Sequence, residues 1–481
     1  MSQADSFDPY AMPAEAIKEP PVSLWSALRN IGPGIILAGS IVGSGELILT
    51  TRLGAKYGFI FLWLILYSCV IKVFVQIELG RYAISSGKPT LGALNDLPGP
   101  RFGAHWLCWW WLAMLLVTVF QLGAMVGGVG QALDLAFPAL SNWLAATTSG
   151  VSPTLSNMFE TRGSLPWALL TAVACILLLL SGGYKRIELI TTVLVVSVTM
   201  ITVVCMLVLP RMGFPIRPAE LWEGMKFRLP EGAEGIAEAF AVFGITGVGA
   251  GELYQYPYWC LEKGYARFAG ARNESDDWAR RAKGWIRVMY LDAWASMIVF
   301  TVATLAFYVM GSAVLHVQGL VPDKEEMIKT LSLMYKPAFG DWTIIAFLIG
   351  AWAVLFKTLY VSSASHSRLT SDFLSLGRFV RYETVGERAR MIRWFCVFYP
   401  CLAFLLFLWN GNPPLMVFIG GLAQAITLPV IAGATVYLRF RGTDRRLAPS
   451  GWSDLCLLFA FVSMSAMAAY VLYDKLFPKS A

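Results

Sequence analysis

Apolar runs of about twenty residues, divided by short polar stretches, recur along the chain. Roughly twenty such residues let one α-helix cross a bilayer. Eleven stretches qualify, at 31–52, 59–81, 106–134, 165–182, 187–209, 236–262, 286–312, 342–364, 392–409, 414–437 and 453–473. We number them spans 1 to 11. None has the two-residue alternation of a barrel strand. The pattern predicts an all-α integral membrane protein with eleven transmembrane helices.

Composition supports this. Of 481 residues, 57% are hydrophobic and 14% charged, against roughly 25% charged in a soluble domain, and the mean hydropathy is +0.60. The eight cysteines lie in or beside apolar runs without a Cys-x-x-Cys spacing, so neither a disulfide framework nor a zinc site is expected. His105, His316 and His366 stand far apart in the sequence, which argues against a histidine-rich transition-metal site. No phosphate-binding loop is present, so ATP is not expected as the direct energy source. No nucleophile–base motif occurs in the polar loops, so neither an enzyme nor a cofactor is expected. Residues 1–30 are polar and proline-rich, without a basic segment leading into an apolar one. They read as a flexible cytoplasmic tail rather than a secretory signal.

Charge adds an orientation. The net charge is +7, and the bases cluster between spans. Loop 263–285 holds Lys263, Arg267, Arg272, Arg280, Arg281 and Lys283; loop 365–391 holds Arg368, Arg378, Arg381, Arg388 and Arg390; loop 438–452 holds Arg439, Arg441, Arg445 and Arg446. Even the turn 183–186 holds Lys185 and Arg186. On the opposite side, 135–164 has only Arg162 and 410–413 has no base, while 210–235 and 313–341 mix bases with acids. Counting bases by the positive-inside rule puts the N-terminus in the cytoplasm and the C-terminus outside a cell (inner) membrane. Bases placed this way are topology signals, and no nucleic-acid partner is expected.

Spans 1 and 6 share a motif, Gly43-Ser44-Gly45-Glu46-Leu47 and Gly249-Ala250-Gly251-Glu252-Leu253. Five spans apart, the copies enter the membrane from opposite sides. That is the signature of an inverted repeat, here residues 31–209 (spans 1–5) and 236–437 (spans 6–10), with span 11 at 453–473 left over. Glycine leaves helical geometry at little cost, and broken backbone at membrane depth must be buried or line a cavity. Each break then offers backbone ligands and a carboxylate. Close helix packing through small residues is the plainer alternative. A Glu at that depth costs roughly 2.5–3.5 kcal/mol on insertion scales unless paired, protonated or used.

Several motifs resemble the Nramp (natural resistance-associated macrophage protein) transporters, which have a LeuT-like fold. They are Gly32-Pro33-Gly34, Leu53-Gly54-Ala55-Lys56-Tyr57-Gly58-Phe59, Gln76-Ile77-Glu78-Leu79-Gly80-Arg81, Tyr184-Lys185-Arg186-Ile187-Glu188, Leu253-Tyr254, Pro400 and Leu428-Pro429. The resemblance implies a LeuT-like 5+5 inverted repeat with helices 1 and 6 broken, working by alternating access. It also exposes departures. Where the family carries Asp-Pro-Gly-Asn in span 1, this chain has Gly43, Ser44, Gly45 and Glu46; where it carries Met-Pro-His in span 6, this chain has Gly249, Ala250 and Gly251, followed by Glu252. The family's span-3 acids have no counterpart, and Gln121 lies in that region.

The substrate expectation follows from these replacements. Losing the thioether disfavours soft-metal selection, whereas a hard ion such as Mg2+ keeps most of its water and needs one or two carboxylates. Glu46 and Glu252 are the candidate metal ligands, Gly43, Ser44, Gly45, Gly249, Ala250 and Gly251 the other binding residues, and protons a candidate coupling ion. The first expectation is therefore a hard divalent cation, Mg2+-like, with Mn2+ next. The competing one is a small anion or carboxylate (bicarbonate, an amino or organic acid) held at the glycine-rich helix ends. Lys72 and Lys357, deep in spans 2 and 8, either snorkel or pair with Glu46, Glu252 or Glu78. Gln121, Asp292 and Gln424 are further candidates for the cavity, or polar residues of helix packing.

Overall fold

Backbone groups in lipid have no water to bond, so long apolar stretches close their hydrogen bonds internally as helices. The computed structural model describes residues 10, 12–150, 152–181, 184–229, 233–340 and 342–476. Among these, nine helical stretches are long and apolar enough to cross a membrane: Leu62–Ser86, Trp106–Ala136, Ser164–Ser181, Glu234–Lys263, Asp276–Leu315, Trp342–Leu376, Val385–Asn410, Pro413–Arg441 and Gly451–Tyr473. They coincide with spans 2, 3, 4 and 6 to 11. Span 5 corresponds to the helix Tyr184–Val208. Span 1 comprises the helix Pro33–Ile41, a π-helical stretch Gly45–Thr50 and the helix Thr51–Tyr57.

Several helices outrun the apolar windows that announced them, those of spans 7 and 8 furthest. Span 7, read as 286–312, begins at Asp276, where the Ser275 hydroxyl accepts the Trp278 N–H as a helix cap. Span 8, read as 342–364, continues to Leu376. Hydropathy marks where charge begins, not where the helix ends, so the loops 263–285 and 365–391 are shorter than expected. A small antiparallel pairing of Arg101–Phe102 with Ala104–His105 interrupts the otherwise all-α architecture.

Span 3 is the central post, packed against spans 4, 8, 9 and 10. The neighbours recur at a shift of five: spans 3 and 4 pack as do 8 and 9, spans 3 and 10 as do 8 and 5, spans 1 and 7 as do 6 and 2. Spans 4, 9 and 11 stand at the periphery, with only 39%, 28% and 22% of their apolar windows buried. Leu170, Leu177, Leu405 and Val462 on them are exposed. Apolar faces of that extent are foreign to the surface of a soluble monomer and fit contact with lipid.

Residues 1–9 and 11 of the segment read as a flexible tail lie outside the described residues. The described part packs on the bundle. Leu24–Asn30 is helical, the Tyr10 hydroxyl donates to Asp372 (2.8 Å), Trp285 Nε1 donates to the Lys18 carbonyl (3.0 Å), and Glu19 pairs with Arg280 (2.6 Å).

Candidate functional site

The start of span 1 is held by span 7. Asp292 is fully buried, and its carboxylate accepts the N–H groups of Gly32 (2.9 Å) and Gly34 (2.5 Å) at the N-terminus of Pro33–Ile41, together with the Tyr256 hydroxyl (3.3 Å). A carboxylate there satisfies free amides and complements the helix dipole. A Cβ on Gly34 would stand 2.7 Å from the Asp292 carbonyl oxygen, so glycine is what allows the approach. Asp292 therefore anchors span 1 and does not line the cavity between the two motifs.

The first motif follows. Ordinary helix stops at Ile41, and Glu46 turns its carboxylate back onto the step. Oε2 accepts the Gly43 N–H (3.5 Å), and Oε1 accepts the Gly247 N–H (3.3 Å) across in span 6. In span 6 one helix ends at Ile245 and the next begins at Ala250. Gly247 sits between them at φ 66°, a left-handed conformation that glycine takes without strain. The amide of Gly251 at the start of the second helix donates to Gln424 Oε1 (2.9 Å), and Gln424 Nε2 donates to Gln121 Oε1 (3.1 Å). One chain of hydrogen bonds thus ties spans 6, 10 and 3. A Cβ on Gly249 would meet Gln424 Oε1 at 2.5 Å and Glu252 Oε2 at 2.6 Å.

Between these elements lies a cavity walled by Ser44, Gly45, Glu46, Gln121, Gly251, Glu252 and Gln424. Gly43, Gly249 and Ala250 are not part of this wall. About 40 Å3 is open to the centres of water-sized molecules, room for roughly three waters or one small ion with part of its shell. Thr118, Met125, Gln255, Thr358, Ser362 and His366 add to the lining, with the apolar Ile41, Leu122 and Ile245. None of these stood out in the sequence, although spacing marked several of them. Thr358, Ser362 and His366 repeat every four residues and so share one face of span 8, and Thr118, Gln121 and Met125 do the same on span 3. Met125 also corrects the expectation that no thioether reaches the site.

Three buried polar atoms of this lining have no hydrogen-bond partner: Glu252 Oε2, Gln255 Oε1 and His366 Nδ1. Buried polar groups are nearly always satisfied, so three unsatisfied atoms around one cavity mark a place for a ligand. Two are oxygen acceptors, and a neutral imidazole nitrogen can be a third. Among the described residues no group of three His, Cys, Asp or Glu side chains could hold a metal ion. Besides the carboxylates of Glu46 and Glu252, a cation here would rely on amide and hydroxyl oxygens and on retained water.

The two lysines lie elsewhere. Lys72 is fully buried, so it does not snorkel. Its ammonium meets the carbonyls of Phe243 and Thr246 (2.6 Å to the latter) rather than a carboxylate. Glu78, one of its expected partners, pairs with Arg81 (2.9 Å). Lys357 is also buried and lines a separate, largely apolar cavity with Ala38, Gly39 and Val42. It precedes Thr358, and one residue turns about 100° around a helix, which carries it off the face that bears Thr358, Ser362 and His366.

Comparison with known proteins agrees with this architecture. The family model described as natural resistance-associated macrophage protein-like matches residues 34–474. The divalent metal cation transporter MntH of Yersinia pestis (strain Pestoides F) is 26% identical over 159 residues, 33% of this chain and 37% of that protein. MntH of Erwinia tasmaniensis is 25% identical over 155 residues, 32% and 36% of the two chains. These matches span little more than a third of the relatives' length. Among solved structures, a manganese transporter of Eremococcus coleocola superposes with TM-score 0.62 at 12% identity, over 97% of this chain and 91% of that one. Mhp1, a nucleobase-cation-symport-1 family transporter in a closed conformation, does so with TM-score 0.57 at 13% identity, over 99% and 98%. At such identities the likeness concerns the fold, an all-helical LeuT-type bundle.

Proposed function

We propose that this chain, which belongs to the natural resistance-associated macrophage protein-like (Nramp) family, is a secondary-active carrier of a hard divalent cation, working by alternating access. The observation that carries the proposal is the set of unsatisfied acceptors Glu252 Oε2, Gln255 Oε1 and His366 Nδ1 around a cavity that also holds Glu46. Neither Glu46 nor Glu252 forms an ion pair among the described residues. Two carboxylates facing oxygen-rich walls, with room for an ion and some water, suit Mg2+, which dehydrates reluctantly and takes one or two carboxylates. The thioether of Met125 keeps Mn2+ as the second candidate. The MntH relatives are by name divalent metal cation transporters, which points the same way.

An anionic cargo fits less well. It would need the backbone N–H groups at the two steps, and those of Gly43, Gly247 and Gly251 are already engaged by Glu46 and Gln424.

The carrier mechanism rests on the repeat. Packing partners recur at a shift of five spans, and the cavity lies where the steps of spans 1 and 6 meet. In this proposal both are broken helices, eleven spans cross the bilayer, and the N-terminus is cytoplasmic with the C-terminus outside. Spans 1, 2, 6 and 7 rock against 3, 4, 8 and 9, and Glu46 or Glu252 accepts a proton when the cation leaves.

The test is uptake into liposomes, with and without a pH gradient. Mg2+ and Mn2+ are expected to accumulate, and bicarbonate and amino acids are not. Uptake of the anions without uptake of either cation would overturn the proposal.

A further inference from the structure

Lys72 poses a separate question, because it is a buried lysine satisfied by backbone alone. Its ammonium donates to the carbonyl of Phe243 and to that of Thr246 (2.6 Å), and sits 4.9 Å from the centroid of the Phe243 ring. Ser68, one turn earlier in span 2, donates its hydroxyl to the same two carbonyls (3.2 and 3.1 Å). These carbonyls lie in the last turn of Ala233–Ile245 and on the residue that follows it, where helical hydrogen bonds run out and the helix dipole is negative. Lys72 has no carboxylate ion-pair partner among the described residues.

The local backbone is shaped to receive this side chain. At Gly247 a Cβ would come within 3.0 Å of the Cys69 Cα, so span 2 lies directly on the turn that ends the first half of span 6. Carbonyls of unwound backbone at a half-helix C-terminus, beside a hydroxyl and an aromatic face, form a ligand set suited to a small monovalent cation. Here the fourth carbon of a lysine delivers the cation from the neighbouring helix.

We propose that Lys72 is a tethered substitute for a bound alkali cation. Its ammonium fills a place at the Phe243 and Thr246 carbonyls that Na+ or K+ could otherwise occupy. The protein thereby carries this positive charge through its cycle instead of drawing it from solution. Shortening the side chain to alanine removes stem and charge and opens the place; methionine removes the charge but keeps it filled.

The test contains no transported substrate, so it stands or falls independently of the cargo proposed above. Thermal unfolding of the purified protein, Lys72→Ala and Lys72→Met is followed in NaCl, KCl and LiCl against choline chloride at constant ionic strength, with divalent cations chelated. Lys72→Ala should show a saturable rise in Tm of a few degrees with one alkali cation, since a ligand at a hundred times its Kd shifts the folding equilibrium about a hundredfold. Wild type and Lys72→Met should not discriminate between the alkali cations and choline. The proposal is overturned if folded Lys72→Ala responds to no alkali cation. It is equally overturned if Lys72→Ala fails to fold in every salt while Lys72→Met folds, or if wild type shows the same alkali stabilisation.

Discussion

Replacing Asp292 by alanine should loosen the whole entrance of span 1. The change strands three buried donors at once: the Gly32 and Gly34 amides and the Tyr256 hydroxyl. A buried group left without its partner costs about 1–3 kcal/mol, and shared relief by an entering water keeps the sum below the simple total. We expect about 3–5 kcal/mol for Asp292→Ala, the range seen when a buried charged partner is removed. Asp292→Asn retains an acceptor and loses only the charge assistance, which roughly doubles a hydrogen bond, so about 1–2 kcal/mol is expected. Equilibrium unfolding in mixed micelles measures both. Hydrogen exchange should localise the alanine effect to faster exchange at the amides of residues 34–37. An Asp292→Ala protein within about 0.5 kcal/mol of wild type, the scatter of innocuous surface changes, would refute the anchoring role.

Further outcomes follow from other contacts. Gly34→Ala should destabilise by about 1–3 kcal/mol through overpacking, read as a lower Tm, because its Cβ meets the Asp292 backbone and Ser296 Oγ at 2.7 and 2.9 Å. Gln424→Leu leaves the Gly251 amide and Gln121 Oε1 unpaired; it should cost about 2 kcal/mol and weaken cation binding measured by titration calorimetry. Asp444, in the loop between spans 10 and 11, has its carboxyl held down at about 2 by the Arg446 side chain, helped by the Arg446 amide and Arg272. A depressed carboxyl pKa stabilises the fold above the unfolded value near 3.9 and loses that contribution as pH falls towards 2. Because Arg272 is half exposed, solvent screening reduces the effect to about 1 kcal/mol. Asp444→Asn should therefore be less stable than wild type at pH 7, and the difference should close between pH 4 and pH 2.

Much of the fold could be read from the chain because lipid leaves few choices. An apolar run of twenty must be a helix, and the repeated Gly-x-Gly-Glu-Leu marked where spans 1 and 6 meet. What escaped depends on which faces oppose each other. Glu46 bonding to the Gly247 amide, or Gln424 bridging Gly251 to Gln121, needs the bundle assembled before it can be seen. Asp292 reads equally as a cavity residue or a polar residue of helix packing, because hydropathy says only that a charge is buried, not that a helix N-terminus waits opposite. For Lys72 the sequence offers snorkelling or a carboxylate partner, and the two carbonyls that satisfy it instead are made by the step at Gly247 itself. Conversely, the four-residue spacing of Thr358, Ser362 and His366 was legible and pointed to a polar face on span 8.

In the proposed transport cycle the unsatisfied carboxylate of Glu252, at the span-6 step, takes the transported cation. The direct test compares Mg2+ uptake into liposomes by wild type and Glu252→Gln at equal amounts of folded protein. Wild type should show saturable uptake, and Glu252→Gln should lose it by at least about tenfold, since a charged ligand bond is worth about 1.5–3 kcal/mol. Unchanged Mg2+ uptake in Glu252→Gln would contradict that role of Glu252.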